Sequence, residues 1–270
     1  MPEPTDRPCI SSVCPTVLQA FGLAVPQGLE PRNPALAALA ADTLGGETVD
    51  RVLLYNPDAV ALWIYEKYRE KFTDAEAVSD LTVPMRSVMP SVTPVCFATM
   101  YSGLLPAVHG IQKYEKPVLT VDTLFDYLIR AGKKPVIVST AGDSISKIFL
   151  ERDMDYFIYD SVEEVNEKAL ELVREDRYDL ITVYNGNYDG TMHKHGPEGS
   201  ASLAALDDNL AFYASLVRTL GEVWRAHNFL YGFCPDHGCH RVLGGFGAHG
   251  TDKEKDMNVV HLYGVHKRQA

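Results

Sequence analysis

A chain of 270 residues, 46% hydrophobic and 23% charged, is long enough to bury the core of one large α/β domain, and its composition excludes a disordered protein. Its 36 acidic against 25 basic residues, a formal net charge of -11, argue against a nucleic-acid polymer or an anionic membrane as partner. Attraction for an anionic substrate would have to come from local cations.

Residues 1–6 show no basic-then-apolar design, and no apolar run approaches membrane-spanning length, so a cytoplasmic protein is expected. Five cysteines (Cys9, Cys14, Cys96, Cys234, Cys239) are an odd count in a long chain and fit reduced thiols better than a disulfide framework. Residues 1–48 read as a helical lead-in: a short amphipathic helix over 15–22 ended by glycine, a loop over 25–34, and a second helix over 35–44. The first buried strand covers 49–55. It ends in Asn56-Pro57-Asp58 and is followed by a helix-like pattern over 59–72.

In the stretch 90–110, a hydroxyl, a proline and an apolar run write a helix start, with Thr93 as N-cap and Pro94 at the first helical position. Further on, 118–132 reads as a helix, 135–140 and 156–159 as strands, and 162–175 as an amphipathic helix. A strand over 179–184, a long helix over 200–227, a strand over 228–234 and a final strand over 256–264 complete the pattern. Strand and helix alternate, which predicts a three-layer sandwich with a mostly parallel central sheet. With no internal repeat or long linker, residues 1–270 are expected to form a single domain.

Candidate chemistry lies at the ends of those strands. Thr93 at a helix start is either a simple cap or a hydroxyl held where unpaired amides and the helix dipole favour an anion. In the glycine-containing loop read over 185–197, Asp189 and His193 are four residues apart and can reach one divalent ion. After the next strand, Asp236 and His237 repeat the pairing of carboxylate and imidazole, flanked by Cys234 and Cys239. These thiols lack a CxxC partner, and packed thiols are the simpler reading. His249 sits between glycines in 245–252. Any one of these histidines alone would be an ordinary turn residue. Together with Asp58 and Thr93, among only nine histidines, they supply ligands for two metals.

This combination resembles the alkaline phosphatase superfamily, most closely its type I phosphodiesterase/nucleotide pyrophosphatase branch. The matching residues are Pro90-Ser91-Val92-Thr93, Gly103, His109-Gly110-Ile111, Asp189 with His193 and Gly196-Pro197, Asp236-His237-Gly238, and His249-Gly250. The resemblance spans roughly residues 50–263, with motifs in the family's order; the helix over 15–22 is similar to a segment that relatives carry near the other end. It implies an alkaline phosphatase-like fold and one metal held by Asp189, His193 and His249. A second would be held by Asp58, Asp236 and His237, with Thr93 Oγ as a further ligand. The two divalent metals would be zinc first, with manganese as the alternative.

On that resemblance Thr93 would attack the phosphorus of a small phosphate ester, expel an alcohol and form a phosphothreonine that water then cleaves. Departures exist. The family's first acidic ligand directly follows its strand and precedes glycine, whereas Asp58 lies three residues past Tyr55 and precedes Ala59; Asn56 is the competing alignment. The phosphate-binding asparagine expected three residues after the nucleophile is Cys96 here. Only residues 238–248 separate His237 from His249, so no large cap domain is expected and the site should be open. Lys113, Tyr114, Lys116, His195 and His240 lie beside motif residues as either substrate contacts or solvated surface. Two alternatives stay open, a phosphomutase or phosphonate hydrolase and a metal-bound non-catalytic binding domain, as does a homodimer.

Overall fold

Val52, Leu53, Leu54 and Tyr55 form a run with no polar position, the pattern of a strand buried on both faces, and in the computed structural model they lie at the sheet's centre. The structure describes residues 7–269; the expectation drawn from residues 1–6 lies outside them. Strand β1 (Arg51–Pro57) is followed in sequence by β2 (Leu81–Arg86), β3 (Pro135–Thr140), β4 (Asp155–Tyr159), β5 (Leu180–Asn185), β6 (Phe229–Phe233), the two-residue β7 (His240–Arg241) and β8 (Gly247–Ala248), and β9 (Asn258–His266). Seven of them make one sheet in the order β2-β9-β6-β1-β5-β3-β4, while β7 and β8 pair with each other. β6, β1, β5, β3 and β4 run parallel; β9 is antiparallel to both β6 and β2.

Side chains alternate across this sheet, and each face carries an apolar layer. Val52 and Leu54 of β1 join Val95, Phe97, Met100 and Tyr101 of the helix Thr93–Ser102 on one face. Leu53 and Tyr55 join Leu172 of the helix Val162–Glu175 and Leu216 and Leu220 of the helix Ser200–Val223 on the other. The sheet is therefore the middle of three layers, as the alternating sequence pattern predicts. Among the described residues no helix is long and apolar enough to cross a membrane.

Four expectations change at the local level. The pattern over 59–72 is interrupted: Ala59 takes φ 65°, and the chain then forms the helix Leu62–Lys67, a 3-10 turn Arg69–Phe72 and a short helix Thr73–Ala77. The helix expected over 118–132 is confined to Leu124–Arg130. A reciprocal capping box between Thr123 and Asp126 fixes its start. The long helix ends at Val223, before 227. Residues 185–197, expected as a loop, contain the helix Asn187–His195. β2 is an additional strand whose alternation is short and contains Pro84, a residue tolerated on the sheet edge where β2 lies.

One buried imidazole gives the fold a pH dependence. His261 on β9 is fully buried, with Nε2 donating to the Pro235 carbonyl at 2.8 Å and Nδ1 accepting from the Tyr263 hydroxyl at 2.7 Å. The neutral ring satisfies both partners, and burial pushes its pKa down to about 4. The unfolded chain takes up that proton near the ordinary value of 6.5, so the contribution is complete above pH 6.5 and is lost as pH falls toward 4. Denaturant unfolding at stepped pH should show wild type losing about 3 kcal/mol across that window relative to His261→Gln. Equal slopes for the two proteins would contradict this.

Candidate functional site

β6, β1 and β5 are adjacent and parallel, so the segments leaving their carboxyl ends meet above one edge of the sheet, where open α/β sheets carry their chemistry. Asp58 leaves β1, Asp189 and His193 ride the helix after β5, and Asp236 and His237 leave β6. β1 runs to Pro57, so Asp58 directly follows its strand after all. Ala59 supplies the left-handed turn that glycine would make there. The Asn56 side chain turns inward instead, its amide nitrogen 2.9–3.2 Å from the Leu54 and Val183 carbonyls and the Tyr101 hydroxyl inside the core.

Thr93 is not a cap. Val92 occupies the N-cap position without a side-chain bond, Thr93 is the first helical residue and Pro94 follows it. Its hydroxyl is turned to the carboxylates instead, donating to Asp58 Oδ2 at 3.3 Å and lying 3.3 Å from His237 Nε2.

Two groups of ligand-type atoms converge here, Asp189 with His193 and His249, and Asp58 with Asp236 and His237; in each, the atoms lie within 4.8 Å of one another. The histidines are oriented by the backbone. Nδ1 of His193 faces the Gly247 carbonyl at 3.1 Å, that of His249 the Ser91 carbonyl at 3.1 Å, and that of His237 the Gly238 carbonyl at 3.0 Å. A carbonyl can only accept, so each Nδ1 donates and each neutral ring turns an Nε2 lone pair inward. His193 and His249 then oppose Nε2 atoms at 3.1 Å, and both face Asp189 Oδ1 at 3.3 and 3.4 Å. Asp58 Oδ1, Asp189 Oδ1 and Asp236 Oδ2 are buried with no hydrogen-bond partner among the described residues. Converging lone pairs and orphaned carboxylate oxygens require a positive charge between them, a proton or a cation.

The electrostatics agree. Burial, with the charge of Asp189 added, pushes Asp58 up to about 7. Burial and neighbouring Asp58 also push Asp236 far above the usual carboxylate range, while burial keeps His237 neutral. Burial opposes ionisation of Asp189 too, but the imidazoles of His193 and His249 beside it outweigh that and hold the carboxyl low. The nearby Asp189 carboxylate raises His193; burial lowers His249, but Asp189 outweighs that and raises it. Mixed oxygen and nitrogen donors, with outer-sphere carbonyls fixing the rings, suit a borderline divalent cation.

The short segment between His237 and His249 forms the β7–β8 hairpin, held tightly on the helix Asn187–His195. A Cβ on Gly247 would lie 2.0 Å from Met192 Sδ, and one on Gly196 would lie 2.3 Å from the Gly245 carbonyl oxygen. This contact is what carries His249 to His193. His240 is no surface residue: it is buried and bonded through Nδ1 to Asp256 Oδ1 at 2.7 Å, and Asp256 also accepts from Thr251. His195 and Lys194 line an open cleft together with Tyr184 and Asn187. Lys113 pairs with Glu115, Lys116 binds the Gly142 carbonyl, and Tyr114 is exposed. Cys96 points away into the core, its Sγ 3.1 Å from Ser87 Oγ. Cys234 and Cys239 are buried thiols outside both ligand groups. Tyr184 is the residue that sequence reasoning missed, since nothing in its spacing shows that its hydroxyl reaches Asp58 Oδ2 at 2.6 Å.

No family model and no curated protein matches the sequence. Among solved structures, murine ectonucleotide pyrophosphatase/phosphodiesterase 5 is similar with a TM-score of 0.57 and 18% identity, over 72% of this chain and 58% of that one. An inactive form of the murine protein, with a threonine replaced by alanine and in complex with AMP, gives 0.58 and 17% over 72% and 59%. The human counterpart gives 0.57 and 18% over 71% and 57%. The chain thus spans under two thirds of the length of the structures it matches. What it shares with them is the fold, the alkaline phosphatase-like α/β arrangement expected from the sequence.

Proposed function

We propose that this chain is a two-metal-dependent hydrolase of small phosphate esters, phosphodiesterase-like, acting through Thr93. The observation that carries the reading is the position of Thr93 Oγ1, 3.3 Å from both Asp58 Oδ2 and His237 Nε2, at the edge of two convergent ligand groups. Asp189, His193 and His249 would hold one cation. Asp58, Asp236 and His237 would hold the other, with Thr93 Oγ as its further ligand. Zinc fits the donor mixture first, with manganese as the alternative. When bound, two such ions would lower the pKa of an adjacent hydroxyl and stabilise both oxygens of an in-line displacement.

The chain's own groups supply the rest. Thr93 donates its proton to Asp58 Oδ2, which fixes the hydroxyl and leaves an oxygen lone pair free to attack. The Thr93 Oγ–P bond forms as the Oγ–H proton passes to Asp58 and the P–O bond to the departing alcohol breaks; the alcohol leaves with the electron pair and takes up one proton in place of the one Thr93 lost. Water then cleaves the phosphothreonine, regenerating Thr93 and freeing a phosphate monoester from a diester. The AMP complex of the murine structure, a phosphate monoester at a similar fold, supports this substrate class. The five free thiols fit a reducing compartment, and a cytoplasmic setting belongs to the same reading.

Chelated protein restored with zinc or manganese should hydrolyse a chromogenic phosphodiester faster than the matching monoester. Two tightly bound ions without turnover of either ester would overturn the hydrolase reading in favour of a mutase or a binding domain.

A further inference from the structure

We propose that Tyr184 is a positioning residue that selects which oxygen of Asp58 faces the metal group, with Gly186 as the seat that lets it do so. The inference rests on the reading above, in which Asp58 is a metal ligand. Asp58 makes contacts of unequal quality. Its Oδ2 accepts from the Tyr184 hydroxyl at 2.6 Å, whereas Thr93 Oγ1 is 3.3 Å from the same oxygen and His237 Nε2 is 3.3 Å from Oδ1. Oδ1 is the orphaned atom. A carboxylate turns easily about its terminal torsion, so the one short hydrogen bond fixes Oδ2 outward and Oδ1 toward His237 and Asp236.

Tyr184 is itself fixed from two sides. It lies opposite Asn56 in the β1–β5 register, and its ring meets Phe97 of the Thr93–Ser102 helix edge-on at 5.8 Å. One side chain therefore touches the element that carries the nucleophile and holds the ligand that the nucleophile faces. Gly186 makes room for it. A Cβ there would lie 2.8 Å from the Tyr184 hydroxyl oxygen and 3.2 Å from its ring carbons, although the backbone at φ -92°, ψ 10° accepts alanine without strain. The glycine is required by the tyrosine rather than by the turn, and displacement of the hydroxyl is the consequence of filling that space.

Zinc titration against a chelating chromophore, with diester kinetics alongside, tests this on wild type, Tyr184→Phe, Gly186→Ala and the double variant. Tyr184→Phe should weaken one of two zinc sites by about 10- to 100-fold, the usual cost of losing an outer-sphere partner, and leave the other unchanged. Turnover should fall in kcat more than in KM and recover in saturating zinc. Gly186→Ala should weaken the same site, and the double variant should be no worse than the worse single variant, because both act through one hydroxyl. Wild-type affinities at both sites of Tyr184→Phe would overturn the positioning role and leave the hydrolase reading standing. Wild type that binds no zinc would overturn both. Equal losses from Gly186→Ala with tyrosine or phenylalanine at 184 would overturn the part given to Gly186.

Discussion

Thr93→Ala should lower metal-restored diester hydrolysis by about 10⁴-fold or more while leaving fold and zinc stoichiometry intact. The size follows from losing the atom that, on the proposed mechanism, forms the bond to phosphorus, for which no neighbour can substitute. Asp58, Asp236 and His237 are committed to one another, and Cys96 faces the core. Stability should hardly change. The hydroxyl caps nothing, its two contacts are long at 3.3 Å, and alanine is the better helix former at that position. Thr93→Ser keeps the attacking oxygen but loses the methyl that restricts its rotamer, so an intermediate loss is expected. The check is kcat/KM at saturating zinc beside a thermal melt. A Thr93→Ala protein with a wild-type melt and activity within tenfold of wild type would move the nucleophile elsewhere, with direct attack by water as the successor.

Much of the fold was legible because the cores of the central strands carry no charged position and almost no polar one. Val52 to Tyr55 and Leu180 to Val183 are buried on both faces, and a run of that kind between glycine- or proline-bearing segments has few other uses. Apolar residues beside an element can look like part of it. Leu119 is buried, but in extended chain whose N–H bonds to the Ile148 carbonyl; the helix starts at the capping box of Thr123 and Asp126. Conversely, Gly190 and the asparagines around it argued for a loop where the helix Asn187–His195 forms. There packing against the long helix Ser200–Val223 and the hairpin glycines overrides weak propensity.

The site was legible as a set and illegible as geometry. Asp58, Asp189, His193, Asp236 and His237 meet because β6, β1 and β5 are neighbours, a strand order that no local pattern encodes, and Thr93 and His249 join them from the helix Thr93–Ser102 and the β7–β8 hairpin. The apolar run stops at Tyr55, but two more residues of strand bring the Asp58 carboxylate to the sheet edge and send Asn56 inward. Partners set by register or by backbone carbonyls could not be read at all. Tyr184 reaches Asp58 across two strands, and Ser91 orients His249 through its main chain.

Asp236→Asn should change sign with the metal. In the metal-free protein, Asp58 and Asp236 are buried with pKa values raised, Asp58 by burial and then by the charge of Asp189, Asp236 by burial and then by the charge of Asp58. A raised acid keeps its proton in the folded state at pH values where the unfolded chain has released it. The folded chain then binds more protons, and stability falls as pH rises from about 4 toward 7 and beyond. Asparagine does not ionise, and its side-chain oxygen can still accept the Ala59 N–H that Asp236 Oδ1 meets at 3.4 Å. Metal-free Asp236→Asn should therefore be more stable than metal-free wild type at pH 7, by about 1–4 kcal/mol, as when a buried charge is replaced by a neutral group. With zinc present the order reverses. A cation supplies the positive charge that Asp236 Oδ2 lacks, and binding to the folded state alone adds about 4 kcal/mol at a thousandfold excess over Kd. Asp236→Asn forfeits that gain at one site and should lose zinc affinity by at least about 10²-fold, beyond the cost of an outer-sphere loss. Melts of both proteins with chelator and with zinc read the crossover directly. Curves that keep the same order under both conditions would mean that Asp236 is buried for packing and holds no ion.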